Sequence, residues 1–227
     1  QTRGEQQGAL PVLQCAGWEG EVYKIAELST DIERAAKLFY PHRNVRDRAA
    51  LFYAKKLHKL RQCPILIHYH TEERFHFEGQ PVTVLVSEYV EGELLSQFLK
   101  SFPGGRLHAF QATHLLYALA KGLEPIHQYN EYHGDLHTDN IIVDRFGLGF
   151  DLKLVDMFQW PASKASNRQD DIVDLIGIFY QALGGARHYA GQPDTVKFIC
   201  CGLKRSLILR KFRTVSQLLK HLKTMSW

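Results

Sequence analysis

The sequence predicts an α+β protein of two lobes, a β-rich one over residues 1–90 and a mainly helical one over residues 91–227. Three observations carry that prediction. The first ninety residues break into short apolar or alternating runs bounded by Gly and Pro, which is how strands and their turns read. Residues 109–129 and 169–183 instead repeat their apolar positions at helical spacing. Between those two helical stretches lies Tyr132-His133-Gly134-Asp135-Leu136-His137-Thr138-Asp139-Asn140, followed by the apolar run Ile141-Ile142-Val143.

Taken in order, Val12 to Ala16 and Glu21 to Ala26 read as strands around a turn with Gly17 and Gly20. Arg34 to Phe39 is a third strand, ended by Pro41. Asn44 to Arg61 has helical spacing through Val45, Ala49, Phe52, Leu57 and Leu60, with Pro64 beyond its end. Ile65 to Tyr69 and Pro81 to Tyr89 supply two more strands, and the hinge between lobes falls near Glu88 to Gly92. Glu93 to Phe102 is a short helix stopped by Pro103-Gly104-Gly105. Ala109 to Tyr129 puts Leu115, Leu116, Leu119, Leu123 and Ile126 on one stripe. Gln169 to Leu183 is apolar around much of its circumference, which predicts a central helix ended by Gly184-Gly185. Two last helices, near Asp194 to Leu203 and Val215 to Met225, close the chain.

A length of 227 residues suits one domain or two closely packed lobes. The net charge of +4 is too small to argue for a nucleic-acid binder or a polybasic membrane anchor, and no apolar run approaches a membrane span. No signal peptide is visible, and the chain begins at Gln1, as a fragment of a longer product would. Cys15, Cys63, Cys200 and Cys201 form no CxxC pair, so a reducing cytoplasm is the expected setting. His68, His70 and His76 would share a strand face, but a zinc site normally needs four convergent ligands.

The chemistry suggested by the central segment is phosphoryl transfer. Asp135 can orient a hydroxyl, and Asn140, five residues on, offers an amide oxygen to a metal. A second carboxylate, Asp156, follows a hairpin-like stretch in Lys153-Leu154-Val155-Asp156-Met157-Phe158. Transfer from a nucleotide needs an aimed nucleophile and phosphate charge neutralised by Mg²⁺ on oxygen ligands.

These residues, in this order, resemble the protein-kinase-like fold, and the resemblance covers nearly the whole chain. HGDLHTDNIIV is similar to the kinase catalytic loop in the HGD form common among aminoglycoside phosphotransferases and some bacterial kinases. Gly17-Trp18-Glu19-Gly20-Glu21-Val22 resembles the glycine-rich loop over ATP, with Cys15 where the first glycine would stand; read alone, it is a plain hairpin turn. Ala35-Ala36-Lys37 resembles the third-strand element in which Ala35 faces adenine and Lys37 reaches the α- and β-phosphates. Ser87-Glu88-Tyr89-Val90 resembles the hinge, whose Glu88 and Val90 backbone would bond the adenine edge. Val22 and Ile142 would sandwich the base. Glu93 would bond a ribose hydroxyl, or else simply open a helix.

The resemblance further implies that Asp135 is the catalytic carboxylate, that Asn140 and Asp156 hold Mg²⁺, and that His137 contacts the transferred phosphate. His133 would brace the loop, Thr138 and Asp139 would lie on its surface, and Asp171 would anchor its backbone. Three departures stand out. The helix Asn44 to Arg61 has no glutamate to pair with Lys37; the position counts to about Ala54, and Asp47 is its only acid. Asp156-Met157-Phe158 lacks the glycine that would follow the aspartate. Only fifteen positions separate Asp156 from Asp171, too few for a full activation segment. The expected activity is transfer of the γ-phosphate of ATP to a protein Ser or Thr hydroxyl, of bacterial type. The alternatives are a small-molecule kinase acting on an aminoglycoside, sugar or other metabolite, and a non-catalytic binding module. No nucleic-acid or membrane partner is expected.

Overall fold

Residues 11–77, 79–147 and 149–225 are described by the structure, a computed structural model. The chain divides into two compact units, Gln1–Gln62 with Ile67–Val90, and Cys63–Leu66 with Glu91–Trp227.

In the first unit, β1 (Val12–Ala16), β2 (Gly20–Ala26), β3 (Glu33–Phe39), β4 (Tyr69–Phe77) and β5 (Gln80–Glu88) form one antiparallel sheet in the order β1-β2-β3-β5-β4. Side chains alternate between sheet faces, so register decides which residues meet. Val22 pairs with Lys37 and Lys24 with Ala35, which puts Val22, Ala35 and Lys37 on one face. The opposite face carries the cluster of Ala36, Val82 and Val84 with Ile25, Leu38 and Val86. Helix α1 (Arg48–Lys59) buries Ala50, Tyr53, Ala54 and Leu57, and the Tyr53 ring meets Phe39 edge-on at 6.5 Å.

Two boundaries in this unit differ from expectation. α1 begins at Arg48, not Asn44, because Arg46 and Asp47 take positive φ, and Asn44 Oδ1 accepts the Ala50 N–H at 3.1 Å. Ile65 to Tyr69 is not a strand. Ile65 and Leu66 are buried in the second unit, where Leu154 N–H donates to the Ile65 carbonyl at 2.7 Å and Leu66 bridges Leu154 in parallel. The apolar pair that suggested a strand serves the helical core, and the true strand, β4, starts at Tyr69 with a largely polar sequence.

The second unit has a small sheet, ordered β6-β7-β8, from β6 (Glu93–Leu94), β7 (Ile141–Phe146) and β8 (Phe150–Leu154). Gly92 precedes it, and a Cβ there would stand 2.4 Å from the Val143 carbonyl oxygen, so only glycine lets β6 approach β7. Glu93 pairs with Val143 in β6; the helix expected from Glu93 is α2 (Leu95–Lys100) and starts two residues later.

Helix α3 (Ala109–Gln128) turns Leu115, Leu116, Leu119, Leu123 and Ile126 fully inward. Each such side chain contributes about 1.5–3 kcal/mol through burial. Helix α4 (Lys164–Ala182) buries Ile172, Leu175, Ile176, Ile178 and Phe179. It starts five residues before the predicted Gln169, capped by Ser163, whose hydroxyl accepts the Ser166 N–H at 3.2 Å. That polar first turn has no apolar periodicity to announce it. The short helices α5 (Ala186–Tyr189) and α7 (Arg205–Lys211) were not anticipated. They flank α6 (Asp194–Cys200), and α8 (Val215–Thr224) closes the chain.

Candidate active site

In the second unit, the site is the loop between α3 and β7, held from beneath by α4. Asp171, with no exposed surface, accepts the His133 N–H on Oδ2 and the Gly134 N–H on Oδ1, both at 2.8 Å, and lies 2.9 Å from His127 Nε2. Gly134 has φ +88, and a Cβ there would stand 2.7 Å from the Phe158 carbonyl oxygen. The buried His133 accepts the Asp135 N–H on Nδ1 at 3.3 Å, and its carbonyl accepts the Phe158 N–H at 3.0 Å. A rigid backbone thus points Asp135 outward, its side chain half exposed.

Asn140 is buried and donates its amide N–H₂ to the Asp135 carbonyl oxygen at 2.9 Å and to Asp135 Oδ2 at 3.0 Å. With the nitrogen turned to Asp135, the amide oxygen is the atom Asn140 can offer a metal, which is the donor type Mg²⁺ takes. The Asn140 carbonyl accepts the Val155 N–H at 3.1 Å, which brings the backbone just before Asp156 against the loop. Asp156 itself has φ +56, and Met157, which follows it, is buried. His137 Nε2 lies 3.7 Å from Asp135 Oδ2, while its Nδ1 accepts the Asp139 N–H at 3.2 Å. Asp139, expected as bare surface, is exposed yet accepts the Ser96 hydroxyl.

Two contributors here were not found by sequence reasoning. Trp160 donates its indole N–H to the Gly134 carbonyl at 2.6 Å, and its backbone N–H goes to the Tyr132 hydroxyl at 3.2 Å. The short segment after Asp156 is thereby pinned to the loop. Trp160, Asp135, Asp170 and Asp174 line a cavity of about 470 Å³. Burial, reinforced by the neighbouring charges of Asp171, Asp170 and Asp135, pushes the Asp174 carboxyl up to about 7. The signal was present as Asp170, Asp171 and Asp174 within one turn of helix, but helical spacing alone does not say which acids face a cavity.

In the first unit, the predicted residues fall on β2, β3, β5 and the turn before β2. Lys37 is nearly buried, and its Nζ lies 3.2 Å from Glu19 Oε2, 4.9 Å from the Tyr53 ring centre and 5.3 Å from that of Phe39. Glu19 went unassigned in the sequence because a turn glutamate has no periodic signal. Counting along α1 gave Ala54 as the position facing Lys37; the structure turns Tyr53 there, one residue earlier. Asp47, the only acid in the stretch Asn44 to Arg61, accepts the Thr83 hydroxyl and lies 3.3 Å from Arg74. Gly20 packs so closely on β3 that a Cβ would stand 1.8 Å from the Leu38 carbonyl oxygen, whereas Gly17 has room. The Glu88 N–H goes to the His68 carbonyl at 2.8 Å, and the Glu88 carboxylate accepts the His68 N–H at 2.9 Å. Any adenine contact from Glu88 therefore falls to its carbonyl. Lys37 and the nucleotide-side residues Val22, Ala35, Glu88 and Val90 belong to the first unit. Asp135, Asn140, Asp156, His137, Ile142 and Glu93 belong to the second.

Residues 16–189 match the protein kinase domain family. Cyclin-dependent kinase B2-2 of Arabidopsis thaliana is 31% identical over 125 residues, covering 52% of this chain and 38% of that protein. Cyclin-dependent kinase 15 of Homo sapiens is 30% identical over 135 residues, covering 57% of this chain and 28% of that protein. The chain thus spans well under half the length of these relatives, which come from a plant and an animal although the HGD loop suggested a bacterial type. The crystal structure of Rad53 residues 1–466 in complex with AMP-PNP superimposes with a TM-score of 0.72 at 17% identity, over 92% of this chain and 62% of that one, a likeness of fold. An antiparallel N-terminal sheet, a helical second unit, the Asp171-braced loop and the match over residues 16–189 together place the chain in the protein kinase domain family.

Proposed function

We propose that the chain is an ATP-dependent phosphotransferase that moves the γ-phosphate to a protein Ser or Thr hydroxyl. The observation that carries this reading is Asp135, held by the Asn140 amide in a loop whose backbone hangs on Asp171. A carboxylate so fixed accepts the hydrogen bond of an incoming hydroxyl, aims its oxygen, and receives its proton. The Asn140 amide oxygen and the Asp156 carboxylate are the groups that would hold Mg²⁺, which when bound neutralises phosphate charge. Lys37 binds the α- and β-phosphates, and the Gly17 and Gly20 turn covers them. Val22, Ala35 and Ile142 contact adenine, the Glu88 and Val90 backbone bonds its edge, and Glu93 bonds the ribose. His137, beside Asp135, touches the phosphate in transit. Rad53 was solved with the nucleotide AMP-PNP, and the relatives named above are kinases, which supports the nucleotide and the reaction class. Cysteine usage supports a reducing, cytoplasmic setting.

One observation favours a second reading, a small-molecule kinase. The cavity beside Asp135 is of ligand size, and its Asp170 and Asp174 carboxyls suit a hydroxylated amine. Incubation with γ-labelled ATP and Mg²⁺, alone, with a generic basic protein, and with aminoglycosides, separates the readings. Label on protein that is lost in Asp135→Asn supports the protein kinase. Label on the amine alone supports the second reading. No label on any acceptor, with the wild type folded, overturns both.

A further inference from the structure

Glu19 lies in the turn between β1 and β2, and that turn is tied down at four points. Gly17 N–H donates to the Gly20 carbonyl at 2.8 Å, and Tyr40 N–H, just past β3, donates to the Glu19 carbonyl at 2.9 Å. Gly20 is pressed on Leu38, and the Arg43 guanidinium covers the Trp18 ring at 3.8 Å. The turn that bears Glu19 is therefore tied to β3, the strand that carries Lys37, and to the residue just past it. Its Oε2 lies 3.2 Å from Lys37 Nζ, with side chains only 22% and 11% exposed. The ammonium also lies over the Tyr53 and Phe39 rings, whose faces favour the charge. A nearly buried ammonium needs an opposite charge. α1 supplies none, since Tyr53 fills the facing position and Asp47 is engaged by Thr83 and Arg74.

We propose that Glu19 is the positioning residue for Lys37, replacing from the β1–β2 turn the carboxylate that α1 lacks; this rests on the phosphotransfer reading above. An ammonium has three N–H donors, so one carboxylate contact does not exhaust it, and phosphate oxygens can be bonded beside Glu19. The aim of Lys37 is then set within one β-meander, and displacement of α1 is not the switch that turns the site on or off.

Two readouts test this, one independent of catalysis. The first is the rate at which an amine-reactive ester acylates Lys37, followed by mass spectrometry. Glu19→Gln, an isosteric change, removes a negative charge 3.2 Å from the ammonium, and the acylation rate at Lys37 rises about tenfold while other lysines keep theirs. The second is kcat/KM for Mg·ATP. It falls about tenfold in Glu19→Gln and recovers to within about threefold of wild type in Glu19→Gln/Tyr53→Glu, which returns a carboxylate to the α1 position, but not in Glu19→Gln/Ala54→Glu. Glu19→Ala serves as the second variant, and circular dichroism checks that each is folded. Unchanged Lys37 acylation overturns the proposal. So does improved use of ATP in Glu19→Gln, since Glu19 would then compete with phosphate. If the wild type transfers no phosphate, the phosphotransfer reading fails by itself, and the acylation rates still decide whether Glu19 holds Lys37.

Discussion

Replacing Asp171 by Ala tests the strut beneath the loop that carries His133, Gly134 and Asp135. The carboxylate has no exposed surface and accepts two backbone N–H groups at 2.8 Å, with His127 Nε2 at 2.9 Å. A hydrogen bond to a charged group contributes about 1.5–3 kcal/mol, and a buried donor left without its acceptor loses about that much. The two backbone bonds alone then amount to about 3–6 kcal/mol. Water entering the space left by the side chain recovers part of this, so about 4 kcal/mol is expected. For a chain of this size each kcal/mol shifts Tm by about 2–4 °C, giving a fall of about 8–16 °C. Asp171→Asn keeps one acceptor oxygen but aims N–H₂ at a donor, and should fall about half as far. Differential scanning fluorimetry at pH 7 reads both variants. A Tm for Asp171→Ala within about 2 °C of wild type would refute the strut, since two buried N–H groups cannot lose a charged acceptor at so little cost.

Asp174 gives a pH-dependent outcome. Its folded-state pKa, about 7, lies above the ordinary 3.8, so the fold favours the protonated form. That contribution to stability is complete below pH 4 and is lost as pH rises towards 7 and beyond. Asp174→Asn should match wild type in Tm at pH 4 and exceed it at pH 8; equal Tm values at both would contradict the burial argument. Gly20→Ala places a methyl against the Leu38 carbonyl at 1.8 Å and must push β2 from β3. It should lower the stability of the first unit by about 2–4 kcal/mol in urea unfolding, and a midpoint like wild type would mean the turn moves freely.

How much was legible in the sequence depended on local signal. The loop between α3 and β7 was readable because His133, Gly134, Asp135 and Asn140 fall within one short stretch, and α3 because Leu115 to Ile126 repeat for several turns. β4 was missed because Tyr69 to Phe77 is mostly polar, while Ile65 and Leu66, which read as a strand, belong to the core of the other unit. Counting placed the position facing Lys37 only at about Ala54, and Tyr53 fills it; one residue is about 100° around a helix, enough to face a different neighbour. Glu19 could not be read at all. A carboxylate that reaches back from a turn to a strand residue eighteen positions on is a tertiary fact, set by β2–β3 register and by the room that Gly20 leaves. Asp174 was hidden for the same reason, since the burial that chiefly raises its pKa is set by tertiary packing.

The most direct test of the phosphotransfer account is calorimetric titration of the folded chain with ATP, with and without Mg²⁺. The account predicts Mg²⁺-dependent binding that weakens at least about tenfold, or about 1.4 kcal/mol, in Lys37→Met and in Asp156→Asn but holds in Asp135→Asn. Binding that is absent, indifferent to Mg²⁺, or unchanged in Lys37→Met and Asp156→Asn would contradict it.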